Sequence, residues 1–131
     1  EKIFNYFTPD IVQFPFNIFD RRFLDSGWIF KLSKQEIEMH VRSIFLQGSL
    51  LLKNHEIPAK LKKWKNEFIQ WNNWLQTNSL SALEVSLKFV NSIMEIDRII
   101  IGISKVDELK KINEHVDFNE GQSKSIKDEN N

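Results

Sequence analysis

Three short apolar stretches, each followed by a helical pattern, constrain this chain more than any other feature. Residues 10–16 are rich in β-branched and aromatic side chains. They sit between Pro9 and the turn-forming stretch Asn17 to Asp20, which predicts a strand. Pro15 has no N–H to give a ladder and so belongs near the strand's end. Residues 37–45 alternate, with Ile37, Met39 and Val41 on one face and Glu38, His40 and Arg42 on the other, until Gln47-Gly48-Ser49 breaks the pattern. Ile99-Ile100-Ile101-Gly102-Ile103 is a continuous apolar run, the pattern of a strand buried on both faces.

Helices are predicted around these strands. Residues 21–34 follow Asp20 as N-cap and carry Phe23, Trp28 and Leu32 as a stripe, with Gly27 as a weak point. Residues 59–76 place Leu61, Trp64, Phe68, Trp71 and Leu75 at alternating steps of three and four. Residues 82–94 begin with a Ser81–Glu84 capping box and carry Leu83, Leu87, Val90 and Met94. Residues 106–116 follow Ser104 as N-cap, with Asp107 at the box position and Val106, Leu109, Ile112 and Val116 as the stripe. Strands alternating with helices imply βα units and a parallel sheet. Three parallel strands leave two edges open, and such edges are normally covered or continued. The expectation is therefore part of a larger α/β architecture spanning residues 1–116, followed by a polar, disordered tail at 117–131. A first residue of Glu1 rather than Met fits an expectation of further residues upstream.

Composition narrows the function classes. Eighteen basic and 18 acidic side chains balance, which argues against a general nucleic-acid or anionic-membrane binder. The absence of cysteine removes disulfides, thiolate metal sites and cysteine nucleophiles. No apolar run approaches the roughly 20 residues of a membrane span, and no signal-peptide pattern opens the chain, so a cytoplasmic location is expected.

Few residues suggest chemistry by themselves. His40, His55 and His115 lack metal-ligand spacing, and there is no P-loop, GxGxxG or GxSxG motif. The polar face of Glu38, His40 and Arg42 suits either a solvent-facing edge strand or the inside of a barrel near a ligand mouth. Residues 101–107 form a strand, a glycine turn and a capped helix start, a geometry able to cradle phosphate, with Lys105 adding charge. Trp64 and Trp71 lie on the apolar stripe and are expected in the core, whereas Trp74 lies off it.

Taken together, three segments resemble the aldo/keto reductase family. Asp10 to Arg22 resembles its sixth barrel strand, and Val41 to Leu51 its seventh strand and the following glycine loop. Ser81 to Met94 followed by Ile96 to Leu109 resembles its seventh helix, eighth strand and last βα turn. The resemblance runs from about residue 4 to residue 116. It implies an α/β chain that is a partial (β/α)8 TIM barrel, the C-terminal portion of an NADPH-dependent reductase of aldehydes and ketones. Ligand sites in such barrels lie at the C-terminal ends of the strands.

The resemblance also implies roles. Gln13 matches a glutamine that hydrogen-bonds the nicotinamide carboxamide, and Arg42 matches a position packing on the nicotinamide ring. Ser43, Phe45, Gln47, Gly48 and Leu50 match a loop along the pyrophosphate. Gly102, Ile103, Ser104 and Lys105 match a turn holding the adenosine 2′-phosphate. Glu108 stands where the family usually has a glutamine near the adenine, and Lys111-Ile112 where it often has Glu-Asn. These departures leave NAD open, with Lys105 favouring NADP as cofactor. The family's catalytic Asp, Tyr, Lys and His come from the first half of the barrel. Tyr6 lies in the wrong segment and His40 on the wrong strand, so no catalytic residue is assigned and this chain alone is expected to be inactive. Expected partners are a small carbonyl substrate and the remainder of the barrel, or self-association through open sheet edges, with no nucleic acid and no membrane. Two alternatives stand beside this reading: a non-catalytic, cofactor-sensing or interaction module of the same type, and an unrelated α/β phosphate-binding domain.

Overall fold

A computed structural model describes residues 2–115. The expected tail at 117–131 and the expected last residue of the final helix, Val116, lie outside them. The fold is α/β. A 3-10 turn at Lys2–Asn5 precedes strand β1 (Ile11–Pro15), helices α1 (Arg22–Asp25) and α2 (Trp28–Lys34), and strand β2 (Glu38–Arg42). Short 3-10 turns then lead to α3 (Lys65–Thr77), α4 (Ala82–Asn91), strand β3 (Arg98–Ile99) and α5 (Val106–His115). The three strands form one parallel sheet in the order β1-β2-β3. Among the described residues, no helix is long and apolar enough to cross a membrane.

Strand β2 is central and has two unlike faces. Ile37, Met39 and Val41 are buried with Phe14 and Phe16 of the first strand region, under Ile29 and Leu32 of α2, Leu87 and Val90 of α4 and Ile112 of α5. The opposite face carries Gln13, Glu38, His40, Arg42 and Arg98, all partly or largely exposed. β2 is therefore not the edge strand that one reading of its polar face suggested. Its outer face is polar although both its neighbours are in place.

Several expected elements are shorter than the sequence pattern, each for a local reason. The third strand pairs only at Arg98 and Ile99, not across the whole 99–103 run. Its one described neighbour, β2, ends at Arg42, so the ladder has no continuing partner after Ile100 donates to the Val41 carbonyl at 2.8 Å. Asp97 extends the pairing in the other direction: its N–H donates to the Met39 carbonyl, and its carboxylate accepts from the Met39 N–H at 2.8 Å. Burial on both faces also fails, because Ile100 and Ile103 are exposed.

The helix expected over 21–34 splits in two. Gly27 at φ 75° closes α1, donating to the Leu24 carbonyl, and opens α2 by accepting from the Lys31 N–H. Asp20 does not cap α1. Both its carboxylate oxygens accept from the Arg22 guanidinium at 2.7 Å, and the first turn has no side-chain cap. The helix expected over 59–76 is a 3-10 turn from Ala59 to Trp64 before α3 begins. Three residues per turn shift the phase of the stripe. Trp64, expected in the core, is 47% exposed, while Phe68, Trp71 and Leu75 are buried with Leu50 in a second apolar cluster. α4 stops at Asn91, leaving Met94 81% exposed. Its start follows expectation, with the Ser81 hydroxyl accepting from the Glu84 N–H at 3.0 Å. Of the described residues of the predicted α5 stripe, Ile112 is buried, and Val106 and Leu109 are exposed.

A Cβ at Gly27 would meet nothing within 4 Å, so substitution there costs backbone strain alone. Gly27→Ala should lower stability by about 1 kcal/mol, read as a shift in the denaturation midpoint at unchanged slope.

Candidate functional site

The site grows from the C-terminal ends of β1 and β2. β1 ends at Pro15, and the Phe16 N–H makes the last cross-strand bond, to the Arg42 carbonyl at 3.0 Å. Asn17 follows, almost fully buried. Its Oδ1 accepts from the N–H groups of Phe19 and Asp20 at 2.9 Å, and its Nδ2 donates to the Ser43 carbonyl at 3.1 Å. One side chain thus shapes the loop after β1 and ties it to the loop after β2. Beside it, the Arg22 guanidinium hydrogen-bonds Asp20 and holds its carboxyl below the ordinary carboxylate range.

The loop after β2 is unusual in its backbone. Ser43, Leu46 and Gln47 have φ of 58°, 49° and 55°, and Gly48 follows at 81°. Side chains rarely adopt this left-handed region, and such residues persist only where the surroundings hold them. Here Leu46 donates to the Ser43 carbonyl and Leu50 to the Phe45 carbonyl, while the Asn17 amide fixes the Ser43 carbonyl. The N–H groups of Gln47 and Gly48 donate to no atom of the described residues. Successive amides freed by such a turn form a concavity suited to an anion.

This loop is one wall of an open cavity of about 1080 Å³. Pro15, Asn17, Arg42, Ser43, Gln47 and Gly48 line the strand-end side. Leu61, Trp64, Phe68, Trp71 and Trp74 line the side formed by α3 and the turn before it. The aromatic wall is well anchored: the Trp71 indole N–H donates to the Leu50 carbonyl at 3.0 Å, and the Trp71 and Trp74 rings stack at 5.7 Å.

The structure gathers four of the sequence-derived site residues at this cavity: Arg42, Ser43, Gln47 and Gly48. Leu50 lies behind them, its side chain fully buried and its carbonyl taken by Trp71. Phe45 packs on the main core. Gln13 is exposed on the polar sheet face, in register with His40, and does not line the cavity. Gly102, Ile103, Ser104, Lys105 and Glu108 are exposed beyond β3, also outside the cavity lining.

At that second location, the Glu108 carboxylate already accepts from the Ser104 N–H at 3.1 Å and lies 3.2 Å from the Ser104 hydroxyl. Those bonds, the backbone one first, hold the Glu108 carboxyl below the ordinary range. The helix-start bonds expected of Ser104 thus run to Glu108 rather than to Asp107.

Sequence reasoning missed Asn17 and misplaced Trp64. Asn17 could have been found as the polar residue between the strand end and the Phe19-Asp20 turn, since Asn favours such side-chain-closed turns. No signal in the sequence marked the 3-10 geometry that turns Trp64 outward.

The polar sheet face holds a separate cluster. One oxygen of Glu38 meets His40 Nε2 at 2.7 Å and accepts from Arg98 Nε at 2.8 Å. The His40 hydrogen bond first, and then that of Arg98, lower the Glu38 carboxyl from its ordinary value.

No family model, curated protein or solved structure matches the chain.

Two predictions follow from these contacts. Asn17→Ala removes three hydrogen bonds of a buried side chain and should cost about 2–3 kcal/mol, measured by chemical denaturation. Glu38 has a lowered folded-state pKa, so its contribution is present above its unfolded value and lost as pH falls through the folded one. Below about pH 4.5 the wild-type melting temperature should therefore fall more steeply than that of Glu38→Gln, which thermal melts across pH 3–6 would show.

Proposed function

We propose that this chain forms the cofactor-binding part of an NAD(P)H-dependent carbonyl reductase of the aldo/keto reductase type, its sheet being part of a (β/α)8 barrel. The observation that carries the reading is the loop from Ser43 to Gly48. It stands at the C-terminal ends of parallel strands, where α/β folds bind their ligands. It presents two unbonded N–H groups beside Arg42, whose guanidinium has no acidic partner among the described residues and reaches only the Ser43 hydroxyl, at 3.4 Å. That combination suits a pyrophosphate: free amides for oxygen atoms and a cation at the strand end for charge.

The residues divide the work by position. The Gln47 and Gly48 amides hold the anion, Arg42 offers a planar cation at the strand end, and Asn17 keeps the two loops in register. When bound, the nicotinamide supplies a hydride to the carbonyl carbon, and the protein orients it. No residue of this chain is assigned as the proton donor. Lys105 favours NADP(H). NAD(H) stands as a second reading because the Glu108 carboxylate already occupies the Ser104 N–H that would otherwise meet a 2′-phosphate.

Calorimetric titration of the purified chain tests the assignment. NADPH or NADH should bind saturably, and sugar phosphates should not displace it. Gly48 sits at φ 81° with open space where a Cβ would go, so Gly48→Ala acts on the loop backbone alone. A strain of about 1 kcal/mol lets the free loop relax out of this form, and re-forming it on binding should weaken dinucleotide affinity by up to about fivefold. Binding of sugar phosphates with no response to either dinucleotide would overturn the reading.

A further inference from the structure

Equal numbers of acidic and basic side chains conceal an uneven distribution along the chain. Residues 53–67 hold Lys53, Lys60, Lys62, Lys63 and Lys65 against Glu56 and Glu67. Five lysines against two glutamates give this stretch a net charge of +3, and the neutral total leaves −3 for the rest of the chain. All five lysines are exposed. None is ion-paired among the described residues. Glu56 turns its carboxylate to the Lys53 N–H, accepting at 2.7 Å.

The backbone arranges these charges around a tryptophan. Ala59–Trp64 winds as a 3-10 turn, in which side chains three apart lie on one row. Lys60 and Lys63 share one row, Leu61 and Trp64 the next, and Lys62 stands on the third. Leu61 packs on the second apolar cluster, whereas Trp64 is 47% exposed with lysines on either side of it. The Lys63 ammonium lies over the Trp64 ring, 5.0 Å from its centre. Trp74, 46% exposed, lines the same cavity as Lys60 and Trp64, which makes the three neighbours. Asn72 of α3 fixes the preceding loop, donating to the Leu52 carbonyl at 3.3 Å and to Asn54 Oδ1 at 2.8 Å. The result is a held surface of half-exposed indoles among unpaired ammonium groups.

That mixture matches the boundary of a lipid bilayer. Indole rings settle at the headgroup level, and lysine stems lie along apolar surface with the ammonium in water. Lysines need no fixed geometry to be drawn to an anionic leaflet, and their effects accumulate. Single-stranded nucleic acid is served less well. Base stacking needs open ring faces, and here Lys63 covers one face of Trp64 and Trp71 one face of Trp74. The five cations are all lysines, without the guanidinium fork that grips phosphate at two points.

We propose that the surface formed by residues 53–65 and Trp74 docks on an anionic lipid membrane, with Trp64 at the headgroup level and the lysines facing the lipid charge. The acidic excess of the remaining residues disfavours other orientations at the same membrane. The proposal does not rest on the cofactor reading, because Arg42 and the Gln47 and Gly48 amides take no part in it.

Co-sedimentation of the purified chain with vesicles tests it. Vesicles of phosphatidylcholine with about 30% phosphatidylserine, at about 0.1 M salt, should bind the chain at least tenfold more tightly than phosphatidylcholine alone. The combined variant Lys60→Gln, Lys62→Gln, Lys63→Gln should weaken that binding at least tenfold. The combined variant Lys34→Gln, Lys110→Gln, Lys111→Gln makes the same charge change elsewhere and should stay within about threefold of wild type. Trp64→Ala should weaken binding about fivefold, and brominated acyl chains should quench the tryptophan emission of the wild type. Near-ultraviolet circular dichroism confirms that the variants are folded. Equal binding to the two vesicles, binding without quenching, or equal loss in the two lysine variants overturns the proposal. Tighter binding of oligouridylate or polyglutamate than of the anionic vesicles at the same salt also overturns it, since a nucleic acid or an acidic protein would then be the occupant.

Discussion

The structure depends on β2 being a central strand with one dry face and one polar face. Its ladder to β1 runs through five residue pairs, and the shorter ladder to β3 is extended by the double contact between Asp97 and Met39. Because side chains alternate, this pairing fixes which residues enter the core. Met39 and Val41 go under the helices with Phe14 and Ile99, and Glu38, His40 and Arg42 go to the other side. A slip by one residue would bury Glu38, His40 and Arg42 and expose the apolar set. The cost of burying three ionisable groups makes the register unambiguous.

The same register places the cavity. Arg42 is the last residue of β2 and pairs with Pro15, the last of β1, so both loops leave the sheet at one level. Asn17 then joins them through one hydrogen bond, to the Ser43 carbonyl, while two more close its own loop. Arg42 alternates to the polar face and so reaches the cavity rather than the core. α3 reaches the same place because Leu50, just after the strained loop, is buried against Phe68 and Trp71. The sheet end, the left-handed loop and the aromatic wall are thus coupled through a few buried residues.

Two places that the sequence suggested for an anion, the turn at Gln47 and Gly48 and the helix start at Ser104, differ in the structure. At Gln47 and Gly48 the amides have no described partner, and Arg42 has no described acid. At Ser104 the chain's own Glu108 carboxylate accepts the bond. The first turn is therefore open to an external anion. At the second, an external anion must displace an ionised carboxylate already in place.

The alternation of residues 37–42 and the apolar character of the three strand segments were enough to determine a parallel α/β sheet, its inward face and the placing of Pro15 at a strand end. Those properties depend on local pattern and on the period of two, both legible in a linear sequence. The Ser81 cap was legible for the same reason, since its partner is three residues away. Other features were not fixed by the local pattern alone. The third strand stopped short because β2 had already turned away. The Asp20 carboxylate went to Arg22 rather than to a helix end. Trp64 turned outward because the chain wound as a 3-10 turn there. Arg42, Ser43, Gln47 and Gly48 came from the resemblance of one short segment to a family loop, and the structure places all four at one cavity. Their meeting with Asn17 and Trp74 was decided only by the tertiary structure, which brings together segments whose sequences carry no record of one another.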